Sequence, residues 1–167
     1  MFVHPCGDTL NCVDNIDPKC IQPNAIDIRV SKFFMVEDLD HPYSNYRDQL
    51  VTISDEGTTH KEISPEIETD SEGWWILHRG IYQFEAQQYV TIPDSYCGWL
   101  ITRSTFNRNG IFIMSGLYDS GFHGYVGGTL YNIAGRIKIK RGTRICQLLT
   151  AQAEMVHKYS GQYNHKK

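Results

Sequence analysis

The stretch that decides the fold class runs from Gly98 to Met114 as GWLITRSTFNRNGIFIM. It contains two short runs rich in apolar, β-branched and aromatic residues, Gly98–Ile101 and Ile111–Met114, separated by a polar segment that ends in glycine. Runs of this length and composition, bounded by turn-forming residues, are typical of β-strands. We therefore predict two strands here, joined by a turn.

Similar runs recur along most of the chain. Ala25–Val30 alternates apolar and polar residues, as a half-buried strand does. The other predicted strands are Trp74–Leu77, Tyr89–Ile92, Tyr125–Asn132, Arg136–Ile139 and Ile145–Leu149. Many short strands with turn signals every ten or so residues favour an all-β sandwich, barrel or jelly roll.

No repeat and no domain boundary is visible, so we predict a single domain over residues 1–167. Residues 38–72 are polar and acidic, and we expect a surface insertion of loops and short strands there. A metal-binding role for the carboxylates of this segment is the alternative.

Composition limits the function classes. The chain has 167 residues, 41% of them hydrophobic, which suits one domain with a real core. The formal net charge of -3 gives no argument for binding a nucleic-acid polymer, which usually requires a basic face. No run approaches the ~20 apolar residues of a membrane span, and the N-terminus lacks the pattern of a signal peptide. Five cysteines without a Cys-x-x-Cys pair favour reduced thiols, and hence a cytoplasmic protein.

Four side chains could carry chemistry, although each has an ordinary structural explanation. Asp119 precedes Ser-Gly, where an aspartate is commonly a turn residue but could also accept a proton. Phe122 could pack in the core, and Arg103 could be a solvated surface residue. Gln147 could be an ordinary strand side chain.

The order of these residues resembles the superfamily of dUTPases and dCTP deaminases. The resemblance rests on Arg103-Ser104 after a strand and on Leu117-Tyr118-Asp119-Ser120-Gly121-Phe122-His123-Gly124, similar to the family's Ile-Asp-x-x-(Tyr/Phe/Trp)-x-Gly. Further matches are Gln22-Pro23-Asn24-Ala25-Ile26-Asp27-Ile28-Arg29, Arg141 to Leu148, and Lys158 to Tyr163. Together they cover nearly the whole chain outside residues 38–72.

The resemblance implies a role for each matching residue. Asp119 would deprotonate the water that attacks the α-phosphorus, and Phe122 would stack on the deoxyribose. Arg103 and Ser104 would bind the phosphates, since a guanidinium can grip phosphate oxygens with two hydrogen bonds.

The other matching residues complete the implied site. Asp27 would hold the water shell of a magnesium ion on the triphosphate, and Gln147 would bond phosphate oxygens. Gly116 lies in the hairpin Ile111–Tyr118 that would recognise the base, a hairpin one or two residues shorter than in other members. The tail residues Tyr159, Gln162 and Tyr163 would close over the nucleotide, with Gln162 where lysine is usual.

Two residues bear on the choice of reaction. Thr129 stands where dCTP deaminases carry the glutamate that activates water for attack on cytosine, and threonine cannot act as that base near neutral pH. Arg108, in contrast, matches an arginine of the deaminase branch.

The resemblance therefore implies a distorted jelly roll that assembles as a homotrimer with shared sites. The expected activity is Mg²⁺-dependent hydrolysis of a deoxynucleoside triphosphate, with dUTP as the first expectation. A dCTP deaminase, or a bifunctional deaminase and hydrolase, is the alternative. A non-catalytic nucleotide-binding protein of the same fold is the third hypothesis. We expect the C-terminal tail, residues 158–167, to be mobile without ligand.

Overall fold

The computed structural model describes residues 1–40, 51–55, 57, 58, 63–161 and 164, with Gly57 and Thr58 described by their backbone alone. This part of the chain is built almost entirely of strands, apart from a 3-10 turn at Pro18–Cys20 and one helical turn, α1, at Ser104–Asn107. The strands are β1 (Phe2–Val3), β2 (Cys6–Gly7), β3 (Leu10–Asn11), β4 (Ile26–Asp38), β5 (Ile53–Ser54), β6 (Gly57–Thr58), β7 (Trp74–Leu77), β8 (Gly80–Thr91), β9 (Tyr96–Thr102), β10 (Ile111–Met114), β11 (His123–Asn132), β12 (Ile137–Lys140) and β13 (Arg144–Gln152). The predicted all-β class is confirmed.

Seven strands form one curled antiparallel sheet in the order β1-β13-β4-β8-β11-β10, with β9 also paired to β13. Register shifts interrupt the pairing of β4 with β8, of β8 with β11 and of β4 with β13. Such bulges increase the local twist of a sheet, which helps it to curl. Two-stranded pairs, β7 with β12, β2 with β3 and β5 with β6, complete the described topology.

The core lies inside the curl of this sheet. Phe33 of β4 packs edge-on against Trp75 of β7, with ring centroids 4.9 Å apart, and against Tyr82 of β8 at 6.4 Å. All three side chains are buried. Burial also raises the pKa of the Tyr82 phenol to about 12, and its hydroxyl donates to the carbonyl of His78.

Part of the acidic segment is attached to this core. The Ile67 amide donates to the carbonyl of Phe33, and the Trp75 indole donates to the carbonyl of Ile67. Glu66 forms a bridge with Phe34 of β4. The second half of residues 38–72 therefore extends the edge of β4. Among the described residues, no helix is long and apolar enough to cross a membrane.

Candidate functional site

The turn that carries Asp119 is fixed by hydrogen bonds on both sides. The Phe122 amide donates to the carbonyl of Asp119 at 3.0 Å, and Gly121 takes a φ of +91°, as the third residue of a type II turn requires. The Ser120 hydroxyl donates to the carbonyl of Tyr96 at 2.6 Å. These bonds leave the Asp119 side chain exposed at the end of a rigid turn.

Tyr118 fixes the segment that leads into this turn. Its backbone exchanges two hydrogen bonds with Gly98 of β9, at 2.7 and 2.9 Å. Its hydroxyl donates to the carbonyl of Gly127 at 2.5 Å and accepts from the Gly127 amide at 3.0 Å. Burial raises the pKa of the Tyr118 phenol, so the hydroxyl keeps its proton and can donate. Tyr118 thus connects β9 to β11.

The Phe122 ring lies between two other aromatic rings. Its centroid is 4.8 Å from that of Tyr118 and 6.2 Å from that of Tyr159. The rings border a cavity of about 520 Å³ whose lining includes five of the predicted site residues, Gly116, Asp119, Phe122, Thr129 and Tyr159. Asp119 supplies the sole carboxylate among the described residues that line it.

A second group of predicted residues surrounds Asp27, whose side chain is fully buried. Its Oδ1 atom lies 3.2 Å from Nε of Arg103 and accepts from Nε2 of Gln147 at 3.1 Å. Its Oδ2 atom accepts from Nη1 of Arg144 at 3.1 Å. Arg103 also donates to the carbonyl of Arg144 at 2.9 Å. We call Asp27, Arg103, Arg144 and Gln147 the guanidinium cluster.

This arrangement does not fit the prediction that Asp27 holds the water shell of a magnesium ion. Both carboxylate oxygens already accept hydrogen bonds or face a guanidinium, and no surface of the side chain is exposed. Among residues 1–40, 51–55 and 63–161, no group of three or more His, Cys, Asp or Glu side chains could hold a metal ion either.

Ser104 and Arg108 flank the single turn of α1. Ser104 is its first residue and Arg108 follows it, with the Arg108 amide donating to the carbonyl of Ser104 at 3.0 Å. Both side chains are exposed, one and five residues after Arg103 along the chain. Neither residue lines the cavity that Asp119 borders.

The described part of the C-terminal tail lies against the Asp119 turn of the same chain. The Tyr159 amide donates to the carbonyl of Ser120 at 2.8 Å, and Lys158 forms a 2.8 Å ion pair with Asp94. The side chain of Asn164 accepts from the His123 amide. Tyr159 is thus positioned beside Phe122. Gln162 and Tyr163 lie outside the described residues.

The two groups of site residues are well separated within one chain. Tyr118 pairs with Gly98 at the start of β9, whereas Arg103 follows the end of β9, five residues further on. At about 3.3 Å per residue, this separation is roughly 17 Å. Asp119 lies one residue beyond Tyr118, so its carboxylate and the guanidinium cluster lie at opposite ends of β9.

Sequence analysis missed two residues of this region. Arg144 joins the guanidinium cluster, and Tyr118 fixes the cavity wall. Both lie inside the quoted motifs, Tyr118 directly before Asp119 and Arg144 three residues before Gln147, and these positions are the signal that the sequence offers. The contacts of Arg144 with Asp27 and of Tyr118 with Gly127 depend on strand pairing, which no motif displays.

The chain is thus a small all-β domain with a curled antiparallel sheet, an aromatic cavity and a separate guanidinium cluster. The family model of dCTP deaminase-like proteins matches residues 7–153, and the chain belongs to this family. A probable deoxyuridine 5'-triphosphate nucleotidohydrolase of Halobacterium salinarum is 26% identical over 162 residues, covering 92% of this chain and 90% of the relative. A dUMP-forming dCTP deaminase of Acidothermus cellulolyticus is 31% identical over 140 residues, covering 81% and 69%.

The fold is similar to that of a solved member. The crystal structure of 2'-deoxycytidine 5'-triphosphate deaminase from Agrobacterium tumefaciens superposes with a TM-score of 0.57 at 15% identity. The match covers 81% of this chain but 41% of that one, and it supports the fold alone. The family therefore comprises enzymes named for two reactions, dUTP hydrolysis and dCTP deamination.

Proposed function

We propose that this protein hydrolyses a deoxynucleoside triphosphate, with dUTP as the expected substrate, to the monophosphate and pyrophosphate. The observation that carries the proposal is the combination of Asp119 and Thr129 in one cavity. A carboxylate stands where water could be activated beside a nucleoside. Thr129 occupies the position of the deaminase glutamate, and its hydroxyl cannot act as a base near neutral pH.

Asp119 is proposed as the general base. Its carboxylate accepts a proton from water while the water oxygen bonds to the α-phosphorus. The bond from that phosphorus to the bridging oxygen breaks, and pyrophosphate leaves. The fixed turn supports this role because a general base must be held within hydrogen-bonding reach of the water. Phe122, supported by Tyr118 and Tyr159, would pack against the deoxyribose.

The guanidinium cluster is proposed to bind the phosphates. Arg103 and Arg144 supply two positive charges, and the exposed Ser104 and Arg108 follow Arg103 by one and five residues along the chain. The Asp27 carboxylate holds the Arg103, Arg144 and Gln147 side chains in place, which makes Asp27 a positioning residue. Orientation of charged donors before binding lowers the entropy cost of phosphate recognition.

We propose that the complete site forms between subunits of a homotrimer. The separation of roughly 17 Å along β9 supports this, since Asp119 of one subunit could meet the guanidinium cluster of another. Exposed apolar side chains on β9 and β10 also support it: Ile101, Phe112 and Met114 are 38%, 40% and 61% exposed on adjoining strands. A patch of this kind is typical of a protein interface.

Magnesium is proposed to act as the counter-ion of the triphosphate. Mg²⁺ usually keeps several waters and is bound through substrate phosphates, so the reaction does not require a metal cage made by the protein. When bound, it would neutralise charge on the phosphates. Asp27 has no part in holding it in the observed arrangement.

Deamination of dCTP with formation of dUMP is the second candidate, and the names of relatives such as that of Acidothermus cellulolyticus favour it. It would need a second base in the cavity. Thr129 does not supply one, and Asp119 would have to serve both steps. We therefore rank hydrolysis first.

Incubation of the purified protein with Mg²⁺ and each deoxynucleoside triphosphate tests the proposal. Pyrophosphate from dUTP, without ammonia from dCTP, is the expected result. Ammonia release at a rate comparable to pyrophosphate release would overturn the ranking. If neither product forms, nucleotide binding without catalysis is the function that remains.

The Asp119→Asn variant tests the general base. It should lose about 10² to 10⁴ in turnover and still bind nucleotide, because the shape is kept and the proton acceptor is removed. Glu154→Gln is the matched control, since Glu154 is another exposed acid on the neighbouring cavity that Asp119 also borders. Near-normal hydrolysis by Asp119→Asn would place the base elsewhere.

A further inference from the structure

The cavity floor carries two side chains that the proposed mechanism does not use. Gln83 of β8 and Thr129 of β11 are directly opposite each other in the antiparallel register, and both line the cavity. Gln83 lies between the buried Tyr82 and Phe84, so its side chain points away from the core. Neither the carboxamide nor the hydroxyl makes a hydrogen bond within the described part of the chain.

The backbone next to these side chains is already occupied. Pairing of β10 with β11 ends at Met114 and Thr129, which leaves the adjoining edge of β11 without a strand partner. The Tyr118 hydroxyl is hydrogen-bonded to both the amide and the carbonyl of Gly127 on this edge. A ligand in this part of the cavity therefore meets the free side chains of Gln83 and Thr129 and not the Gly127 backbone.

The position of Gln83 relative to Asp119 suggests which part of a nucleotide reaches it. The Tyr118 hydroxyl contacts Gly127 while its ring packs on Phe122. Thr129 lies two residues beyond Gly127 on β11, about 7 Å further from the Asp119 turn. If the deoxyribose packs on Phe122 and its 5'-phosphate faces Asp119, the base extends toward Gln83.

We infer that Gln83, together with Thr129, binds the polar edge of a pyrimidine base at this site. The inference rests on the proposed function. A carboxamide offers both a donor and an acceptor, and a hydroxyl can do either. Gln83 can therefore pair with the adjacent donor and acceptor of uracil, or with those of cytosine after rotation of its amide plane.

The test compares Gln83→Leu with Gln87→Leu in the full-length protein. Gln87 is the matched control because it is exposed on the same side of β8 but lines a different cavity, beside Asp17 and Arg29. Each variant is assayed with dUTP and with 2-deoxyribose 5-triphosphate, which lacks a base. Thr129→Val is measured in parallel.

Gln83→Leu should lower kcat/KM for dUTP about tenfold, mainly through KM, because the hydrogen bonds between the carboxamide and the base are lost. It should leave kcat/KM for the base-free analogue unchanged, and Gln87→Leu should change neither. An equal loss on both substrates, or no difference between the two leucine variants, would overturn the inference.

Equilibrium binding of dUMP separates this inference from the proposed reaction. If the unmodified protein binds dUMP but releases no pyrophosphate from dUTP, hydrolysis is refuted while a weaker affinity of Gln83→Leu would still support base binding. If dUMP binds equally well to the unmodified protein and to Gln83→Leu, the inference fails even when hydrolysis is observed. If dUMP does not bind at all, the inference fails, whereas pyrophosphate release from dUTP still decides whether hydrolysis occurs.

Discussion

Replacing Asp27 by asparagine should destabilise the protein strongly. The substitution keeps the size of the side chain but removes the negative charge that faces Arg103 and Arg144. It also puts an amide donor where one carboxylate oxygen now accepts. Two guanidinium groups then remain close together without their buried counter-charge.

The size of the effect follows from burial. Removing one partner of a buried ion pair typically costs about 3–5 kcal/mol. Asp27 is fully buried, but the side chains of Arg103 and Arg144 are 25% and 34% exposed, so water compensates part of the loss. We therefore expect a decrease of about 3 kcal/mol in the free energy of unfolding. For a domain of this size, that lowers Tm by about 6–12 °C.

Urea unfolding followed by circular dichroism measures the change, with Asp17→Asn as the control. Asp17 forms a 2.7 Å ion pair with Arg29, shorter than either contact of Asp27, but its side chain is 41% exposed. Surface pairs contribute little, so this variant should be nearly as stable as the original protein. Equal stabilities of the Asp27→Asn and original proteins would refute the view that Asp27 holds the cluster together. A large loss in Asp17→Asn would refute the burial argument.

Three further outcomes are expected. Deleting residues 158–167 should sharply reduce turnover, because it removes Tyr159 from the nucleoside cavity. It should change Tm little, because it takes almost nothing from the core. Full activity of the truncated protein would contradict this expectation. The free energy of unfolding should fall above about pH 10, since the pKa of Tyr82 is raised to about 12 in the folded state and the unfolded chain releases that proton first. Urea titrations at several pH values should give a slope of about -1.4 kcal/mol per pH unit from this group, absent in Tyr82→Phe. Phe112→Glu should reduce the sedimentation coefficient by breaking the proposed trimer, whereas Ile76→Glu, at an exposed apolar position on β7, should not.

The predicted strands are present, but β4 and β8 are longer than predicted. β4 continues from Val30 to Asp38, and a register shift between Val30 and Lys32 interrupts its two-residue period just where the predicted strand stops. β8 begins at Gly80, although only its end, near Tyr89, was predicted. Its first half alternates buried and more exposed side chains as regularly as the predicted strands do, so this part of β8 carried the same two-residue pattern.

The local motifs identified residues that the fold then brings together. Gly116, Asp119, Phe122, Thr129 and Tyr159 share one cavity, although the roles assigned to them remain predictions. The position of a carboxylate in a motif does not reveal which side chains will surround it. Asp27 is an example, since the magnesium role expected for it does not fit its buried contacts.

Strand pairing explains both why the guanidinium cluster forms and why it is far from Asp119. On β13, Gln147 pairs with Asp27 of β4 on one side and with Ile101 of β9 on the other. Arg103 stands two residues beyond Ile101, so it reaches Asp27 across β13, from the far end of β9. The same strand begins near Gly98, where Tyr118 attaches the turn that carries Asp119. The length of β9 thus keeps the proposed base away from the proposed phosphate-binding residues within a chain. Activity should consequently depend on assembly, and dilution into monomers should abolish turnover before the fold is lost.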